Sequence, residues 1–300
     1  MHSFMIGQYG GLDYRKYDRD FVQGFYGIEA CLFPHEADIT ALHQLSQKAG
    51  FQVGVHFPLR DGISPLRDAL FLASEDSVRM QAYTLIQQEL EFIASIHPSY
   101  VLFHYPKPVI LDDRVDWSRW HFSDPQEYVY ECNYSKTELI EKSEALFEWL
   151  SRNGAEYHFT PVLELDALHS YIYNGDFFSQ LLDQYPDIKL CLDTARLYMQ
   201  DRIDPNFNSI PFVKQYARYA EVIHLSNIQF DHTQAIVKRR YPVLPRCKPE
   251  DGWAPIEQYL HIIRNHNPDV KIMFEHRSEQ VSDEELMECY RWVNQLMIKE

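Results

Sequence analysis

The chain predicts an α/β architecture, a (β/α)8 TIM barrel built as one domain over residues 1–300. Three observations point there. Eight apolar runs rich in β-branched and aromatic residues, at about 4–9, 25–32, 52–58, 100–105, 158–165, 188–194, 221–226 and 271–276, read as strands. Longer segments with helical features separate them, and that alternation gives a parallel sheet. The count of eight favours closure into a barrel, for which roughly 250 residues is a usual size. An open doubly wound sheet is the rival fold, but no GxGxxG follows the first run.

The helical segments carry their own start and stop signals. Glu36 to Gly50 closes on Lys48-Ala-Gly50. Ser74 to Ile96 opens with Ser74-Glu-Asp and sets Leu85, Leu90 and Ile93 at the spacing of one apolar face. Thr137 to Gly154 starts with Thr137-Glu-Leu-Ile-Glu and closes on a glycine, and Ser282-Asp-Glu-Glu285 has the spacing of a capping box. Two connections are longer than the usual 2–6 residues of a βα loop. Pro106 to Lys136 is rich in aromatics, among them Trp117, Trp120, Phe122, Tyr128, Tyr130 and Tyr134. Gln229 to Asp251 holds Lys238, Arg239, Arg240, Arg246 and Lys248 against Asp231, Glu250 and Asp251. Both follow strands and so belong to the C-terminal face, where barrel enzymes place their chemistry. They read either as surface excursions or as an aromatic lid and a basic wall around a polar, anionic substrate.

Composition sets limits on function. A hydrophobic share of 45% is ample for a buried core. The formal charge of −16 argues against a nucleic-acid binder, because affinity for a phosphate backbone comes mainly from clustered Lys and Arg. Cys31, Cys132, Cys191, Cys247 and Cys289 are scattered without CxxC spacing, which suggests reduced thiols in a cytoplasmic protein. The N-terminal Met-His-Ser-Phe-Met-Ile-Gly lacks the basic and apolar regions of a signal peptide. No apolar run approaches the roughly 20 residues of a membrane span, so no membrane partner is expected.

The chemistry concentrates at four strand ends. Glu164, Asp193, His224 and Glu275 close the fifth to eighth predicted strands. In a barrel those ends meet at one mouth. Three carboxylates converging there without a cation would repel one another, and a divalent metal removes that cost. Three carboxylates and an imidazole suit Mn²⁺, Mg²⁺, Co²⁺ or Zn²⁺, so one divalent ion is the expected cofactor. Taken singly, an acid at a strand end is more often a helix cap or a salt-bridge partner. Four successive strands ending this way carry the argument.

At these residues the chain resembles the xylose isomerase-like TIM-barrel superfamily, in particular its sugar isomerases and epimerases, which share the fold with type IV apurinic endonucleases. The matching stretches are Val55-His56-Phe-Pro58, Leu102-Phe-His104-Tyr-Pro106, Val162-Leu-Glu164, Cys191-Leu-Asp193-Thr-Ala-Arg196, Ile223-His224-Leu-Ser and Met273-Phe-Glu275. They run from the third strand to the eighth in the superfamily's order. The resemblance implies that Glu164, Asp193, His224 and Glu275 hold one metal, and that Glu164 and Glu275 also form the acid–base pair. A metal bound to a carbonyl oxygen and a neighbouring hydroxyl acidifies the carbon between them and stabilises an enediolate. Two carboxylates on opposite faces then epimerise that carbon, and return of the proton to the adjacent carbon isomerises aldose and ketose. The resemblance further implies that His56 and His104 bind a second metal or substrate. Arg246 or Lys248 would contact substrate, with solvated surface charge the plainer reading. Trp253 would stack on a sugar face, although most aromatics in such a chain belong to the core.

One departure stands out. The superfamily usually carries Asp-x-x-His at the sixth strand, where this chain has Asp193-Thr-Ala-Arg196. Arg is not a metal ligand but grips carboxylate or phosphate bidentately. Arg196 therefore either binds an anionic group of the substrate or pairs with Asp193 or Asp201. The leading reading is a metal-dependent isomerase or epimerase of a small hydroxylated keto compound: a sugar, sugar acid or sugar phosphate. A lyase or dehydratase on keto-inositols or 3-keto-glycosides would use the same metal and base. An apurinic-site phosphodiesterase is disfavoured by the charge and by Arg196, and a sugar-binding barrel without catalysis is the remaining class. A chain of this size is large enough to be a monomer, and relatives of this type are often dimers or tetramers, so both a monomer and a homo-oligomer stay open.

Overall fold

Each apolar run forms a strand because alternate side chains can be buried on both faces of a parallel sheet covered by helices. The computed structural model describes residues 1–64 and 66–298. The strands are β1 (Phe4–Tyr9), β2 (Gly27–Cys31), β3 (Gln52–His56), β4 (Tyr100–Tyr105), β5 (Thr160–Leu165), β6 (Lys189–Asp193), β7 (Ala220–Leu225) and β8 (Lys271–Phe274). They close into a barrel in the order β1-β8-β7-β6-β5-β4-β3-β2, a (β/α)8 TIM barrel. Every strand is followed by at least one helix: Tyr14–Asp20, Glu36–Ala49, Asp76–Ile93, Lys136–Tyr157, Phe177–Gln184, Thr194–Ile203 with Ser209–Tyr216, Ile256–His266 and Asp283–Met297. Among the described residues, no helix is long and apolar enough to cross a membrane.

By its internal contacts the chain divides into two compact units. The first comprises Met1–Gly7, Asp13–Ile28 and Cys191–Glu300. In it β8 pairs with β1 (Met5 opposite Met273) and with β7 (Met273 opposite His224). Its core is an aromatic cluster: Phe4 packs edge-on against Phe25 and Phe274 at 5.6 and 5.0 Å, and Tyr290 closes on Phe274 at 4.7 Å. The final helix begins with the expected capping box, Ser282 and Glu285 each accepting from the other's backbone N–H.

The second unit comprises Gln8–Leu12 and Glu29–Leu190. Here β4 lies between β3 and β5, with Val55 opposite Val101 and His104 opposite Glu164. Tyr105 stacks on Phe178 at 5.3 Å, and Ile86, Leu90 and Ile93 are buried from the helix after β3. The helix before β5 does not end at Gly154. It runs to Tyr157 and is capped by His158 in the left-handed conformation. Gly154 serves close packing instead, because a Cβ there would lie 2.8 Å from Cγ of Pro161.

The two long connections carry their own structure. Within Pro106 to Lys136, Val109–Leu111 and Tyr128–Tyr130 pair in parallel, and Trp117 and Trp120 are buried. Within Gln229 to Asp251, the strand Ile236–Tyr241 pairs antiparallel with Asn227–Phe230. What reads as a basic loop is thus mostly a hairpin with an exposed outer strand.

Candidate functional site

Two buried groups of ionisable side chains lie at the C-terminal ends of the barrel strands, one in each unit. In the unit that contains β3 to β5, the His104–Glu164 register sets those two side chains abreast. His104 Nε2 lies 2.7 Å from Glu164 Oε2, and His104 Nδ1 lies 2.9 Å from Asp68 Oδ2. Each nitrogen of the imidazole faces a carboxylate, an arrangement that favours the protonated ring, which can donate to both. Burial works against its charge, but Asp68 and Glu164 outweigh burial and its pKa is raised. His56 Nε2 stands 3.2 Å from the same Glu164 oxygen and 3.3 Å from Arg67 Nη2, while its Nδ1–H donates to the Phe57 carbonyl at 3.1 Å. Burial pushes the His56 pKa down.

Behind this pair lies Lys107, only 1% exposed. Its Nζ is 2.7 Å from Asp68 Oδ2, 2.8 Å from Asp166 Oδ2 and 3.6 Å from Glu127 Oε2. Asp166 also accepts from the Trp120 indole at 3.0 Å and from the Ala167 N–H at 2.9 Å. Burial disfavours charge on Asp68, yet His104, Lys107 and Arg67 hold its carboxyl well below the usual range. The chain Lys107–Asp68–His104 therefore fixes the orientation of the imidazole that faces Glu164. His56, His104 and Glu164 bring ligand atoms within 4.8 Å of one another.

In the unit that contains β6 to β8, Asp193, His224 and Glu275 bring their ligand atoms within 4.8 Å of one another. Asp193 caps the helix that follows β6, its Oδ1 accepting from the N–H groups of Ala195 and Arg196 at 2.8 and 3.0 Å. His224 is fully buried near the end of β7, and its Nδ1 lies 3.8 Å from Glu275 Oε2. Glu275 follows β8, and its N–H donates to the Leu225 carbonyl at 3.1 Å. Two carboxylates and an imidazole that converge in this way are a donor set that fits a divalent cation. Each carboxylate also meets a guanidinium. Arg196 Nε is 3.3 Å from Asp193 Oδ2, and Arg240 Nη2 is 3.1 Å from Glu275 Oε1.

The remaining expected residues are placed as follows. Arg196 pairs with Asp193 and not with Asp201, whose carboxylate accepts from Ser209. Arg246 bonds Glu285 at 2.6 Å and Tyr241 at 3.3 Å. Lys248 lines, with Pro245, Pro255 and Trp292, a surface cavity that none of Asp193, His224 and Glu275 lines. Trp253 packs on Tyr241 with ring centroids 5.1 Å apart. Arg67, Asp68, Lys107 and Asp166 are the additions that structure brings to the His104–Glu164 group, and of the basic connection it is Arg240 that reaches Glu275. A lysine between two prolines in an apolar run, Tyr105-Pro-Lys107-Pro108, was a usable signal for one of them.

Fold and site together describe a TIM barrel with ionisable, ligand-type side chains gathered at its strand ends. No family model matches the chain, and no curated protein does. Solved structures do. A D-tagatose 3-epimerase-like protein superposes with a TM-score of 0.62 at 13% identity, over 98% of this chain and 99% of its own. The 3-keto-D-glucoside 4-epimerase YcjR from E. coli gives 0.60 at 11% identity, over 98% and 99%. A Thermus thermophilus protein soaked with zinc chloride gives 0.60 at 16% identity, over 98% and 97%. At such identities the likeness is one of fold, and it extends over nearly the whole length of each chain.

Proposed function

We propose that the chain is a metal-dependent isomerase or epimerase of a carbohydrate-like hydroxyketone, within the xylose isomerase-like superfamily. The observation that carries this reading is the meeting of Asp193, His224 and Glu275 ligand atoms within 4.8 Å at successive strand ends. Glu164, which the resemblance assigns to the same set, is the fourth ligand proposed. A bound divalent ion supplies Lewis acidity toward a carbonyl and its neighbouring hydroxyl. Glu164 and Glu275 would serve as the acid–base pair that takes a proton from carbon and returns it. His104 Nε2, 2.7 Å from Glu164 Oε2, orients that carboxylate for the role. The epimerases among the matching folds support the substrate class. The zinc-soaked relative fits a metal site without selecting the metal.

The test is metal content by mass spectrometry on protein purified without chelator, followed by proton–deuterium exchange on a panel of ketoses. About one equivalent in the wild type, lost in Glu164→Gln and Asp193→Asn, is expected. Deuterium entering at the carbon next to the carbonyl identifies the epimerase or isomerase reaction. Loss of a β-hydroxyl in place of that exchange would assign a lyase. Absence of metal after reconstitution with Mn²⁺ or Co²⁺ would sink the reading.

A further inference from the structure

We propose that Asp112, Glu131 and His169 form a separate site for one divalent transition-metal ion of the zinc type, filled when the ion is supplied. There it fastens the aromatic connection Pro106 to Lys136 to the segment after β5, with Arg114 holding its place until it binds. The site does not depend on the strand-end reading above.

Strand register builds it. Val109–Leu111 and Tyr128–Tyr130 run in parallel with Leu111 opposite Tyr130, so Asp112 and Glu131 leave the pair side by side. The Cys132 N–H donates to Asp113 Oδ2 at 3.2 Å, which holds the two exits together, and the Trp117 indole donates to the Asp112 carbonyl at 3.1 Å. His169 comes from the N-cap of the short helix Ser170–Tyr173, with the Tyr171 ring packed across it at 4.1 Å. One ligand atom from each of the three residues lies within 4.8 Å of the others.

The imidazole supplies an independent sign of a ligand. The His169 side chain is fully buried, and its Nε2 has no hydrogen-bond partner among the described residues. That atom stands 3.3 Å from Glu131 Oε2, longer than the roughly 2.7–2.9 Å of a charge-assisted bond. Two ligands each about 2.0–2.1 Å from a tetrahedral zinc lie roughly 3.3 Å apart, so the spacing matches one edge of a coordination shell. Burial pushes the His169 pKa down and leaves the ring neutral, the form a metal takes. Its Nδ1 accepts the Tyr171 N–H at 3.1 Å, which puts the ring proton on Nε2. The ion displaces that proton to Nδ1, beside the Ser170 hydroxyl at 3.5 Å, and the helix gives up its cap. Two carboxylates and an imidazole suit zinc.

Arg114 occupies the cation's position. Its Nη2 is 2.6 Å from Asp112 Oδ2 and 3.9 Å from Glu131 Oε2, while its side chain is 74% exposed. An ion pair so open to water is weak, and the guanidinium can swing away when an ion of twice its charge takes the carboxylates.

The experiment counts zinc by mass spectrometry after dialysis against Zn²⁺ in about 0.15 M salt, which screens diffuse binding. E131Q is expected to remove one equivalent from wild type and from D193N alike, since D193N touches only the strand-end set. Calorimetric titration with Zn²⁺ should show about tenfold tighter binding in R114Q, where the internal competitor is gone. Zinc should slow trypsin cutting at Arg114 and Arg119 by at least about threefold in wild type and not in E131Q. Equal zinc counts with and without E131Q in either background would overturn the proposal. So would zinc binding in R114Q no tighter than in wild type, or cutting rates that ignore zinc.

Discussion

Lys107 carries the clearest consequence at the scale of single residues. Its ammonium lies among Asp68, Asp166 and Glu127 with almost no solvent contact. Removing one partner of a buried ionic group leaves the others charged and uncompensated, at a cost of about 3–5 kcal/mol. Lys107→Met keeps the volume and is expected to lose that much in urea unfolding. Adding Asp166→Asn removes one of the orphaned charges, so the double variant should lose clearly less than the sum of the singles. A loss under about 1 kcal/mol for Lys107→Met would show that water or rearrangement relieves the cluster. Sequence reasoning singles out Glu164, Asp193, His224 and Glu275 as candidates because each lies at or beside the end of a strand, and strand ends are visible as a change from apolar to polar. It does not single out Asp68 or Lys107, which reach the His104–Glu164 pair from loops, and it offers Arg240 only as one charge among five in a basic connection, because no periodicity encodes the direction of such segments.

Elements were legible where the pattern is local. All eight strands and the capping box of the last helix follow from runs and spacings that a few residues determine. The hairpin Asn227–Phe230 with Ile236–Tyr241 was hidden by its charge: Lys238, Arg239 and Arg240 read as a loop, though they lie along the exposed outer strand. Its base is tied to Gly252, whose carbonyl accepts the Phe230 N–H at 2.9 Å. Gly252 has φ 84°, and a Cβ there would lie 1.9 Å from the Phe230 carbonyl oxygen, a backbone atom that cannot swing aside. Gly252→Ala is therefore expected to break this tie and to destabilise by more than about 1 kcal/mol. Limited proteolysis would show it as faster cutting between Asn227 and Tyr241. Unchanged cutting together with unchanged urea unfolding would mean that the connection to the following helix tolerates the shift.

At the scale of the whole molecule, metal binding and stability are one measurement. A site assembled from the ends of strands far apart in sequence exists only in the folded chain, so an ion held there favours folding by mass action. With free Mn²⁺ at about 100 times its dissociation constant, the gain is about 2.7 kcal/mol. For a chain of this length that is a rise of roughly 4–8 °C in the unfolding midpoint, reversed by EDTA. The formal charge of −16 complicates the reading, because divalent cations also gather around any acidic protein. Two controls separate the causes. Salt at about 0.15 M shortens the screening length to about 8 Å and removes most of the diffuse effect. Asp193→Asn and Glu275→Gln leave the overall charge nearly as it was but remove ligands from the proposed set. A midpoint shift present in wild type and absent in both variants places the ion at the strand ends. A shift of equal size in all three proteins would assign it to the ion atmosphere and leave the barrel without its proposed metal.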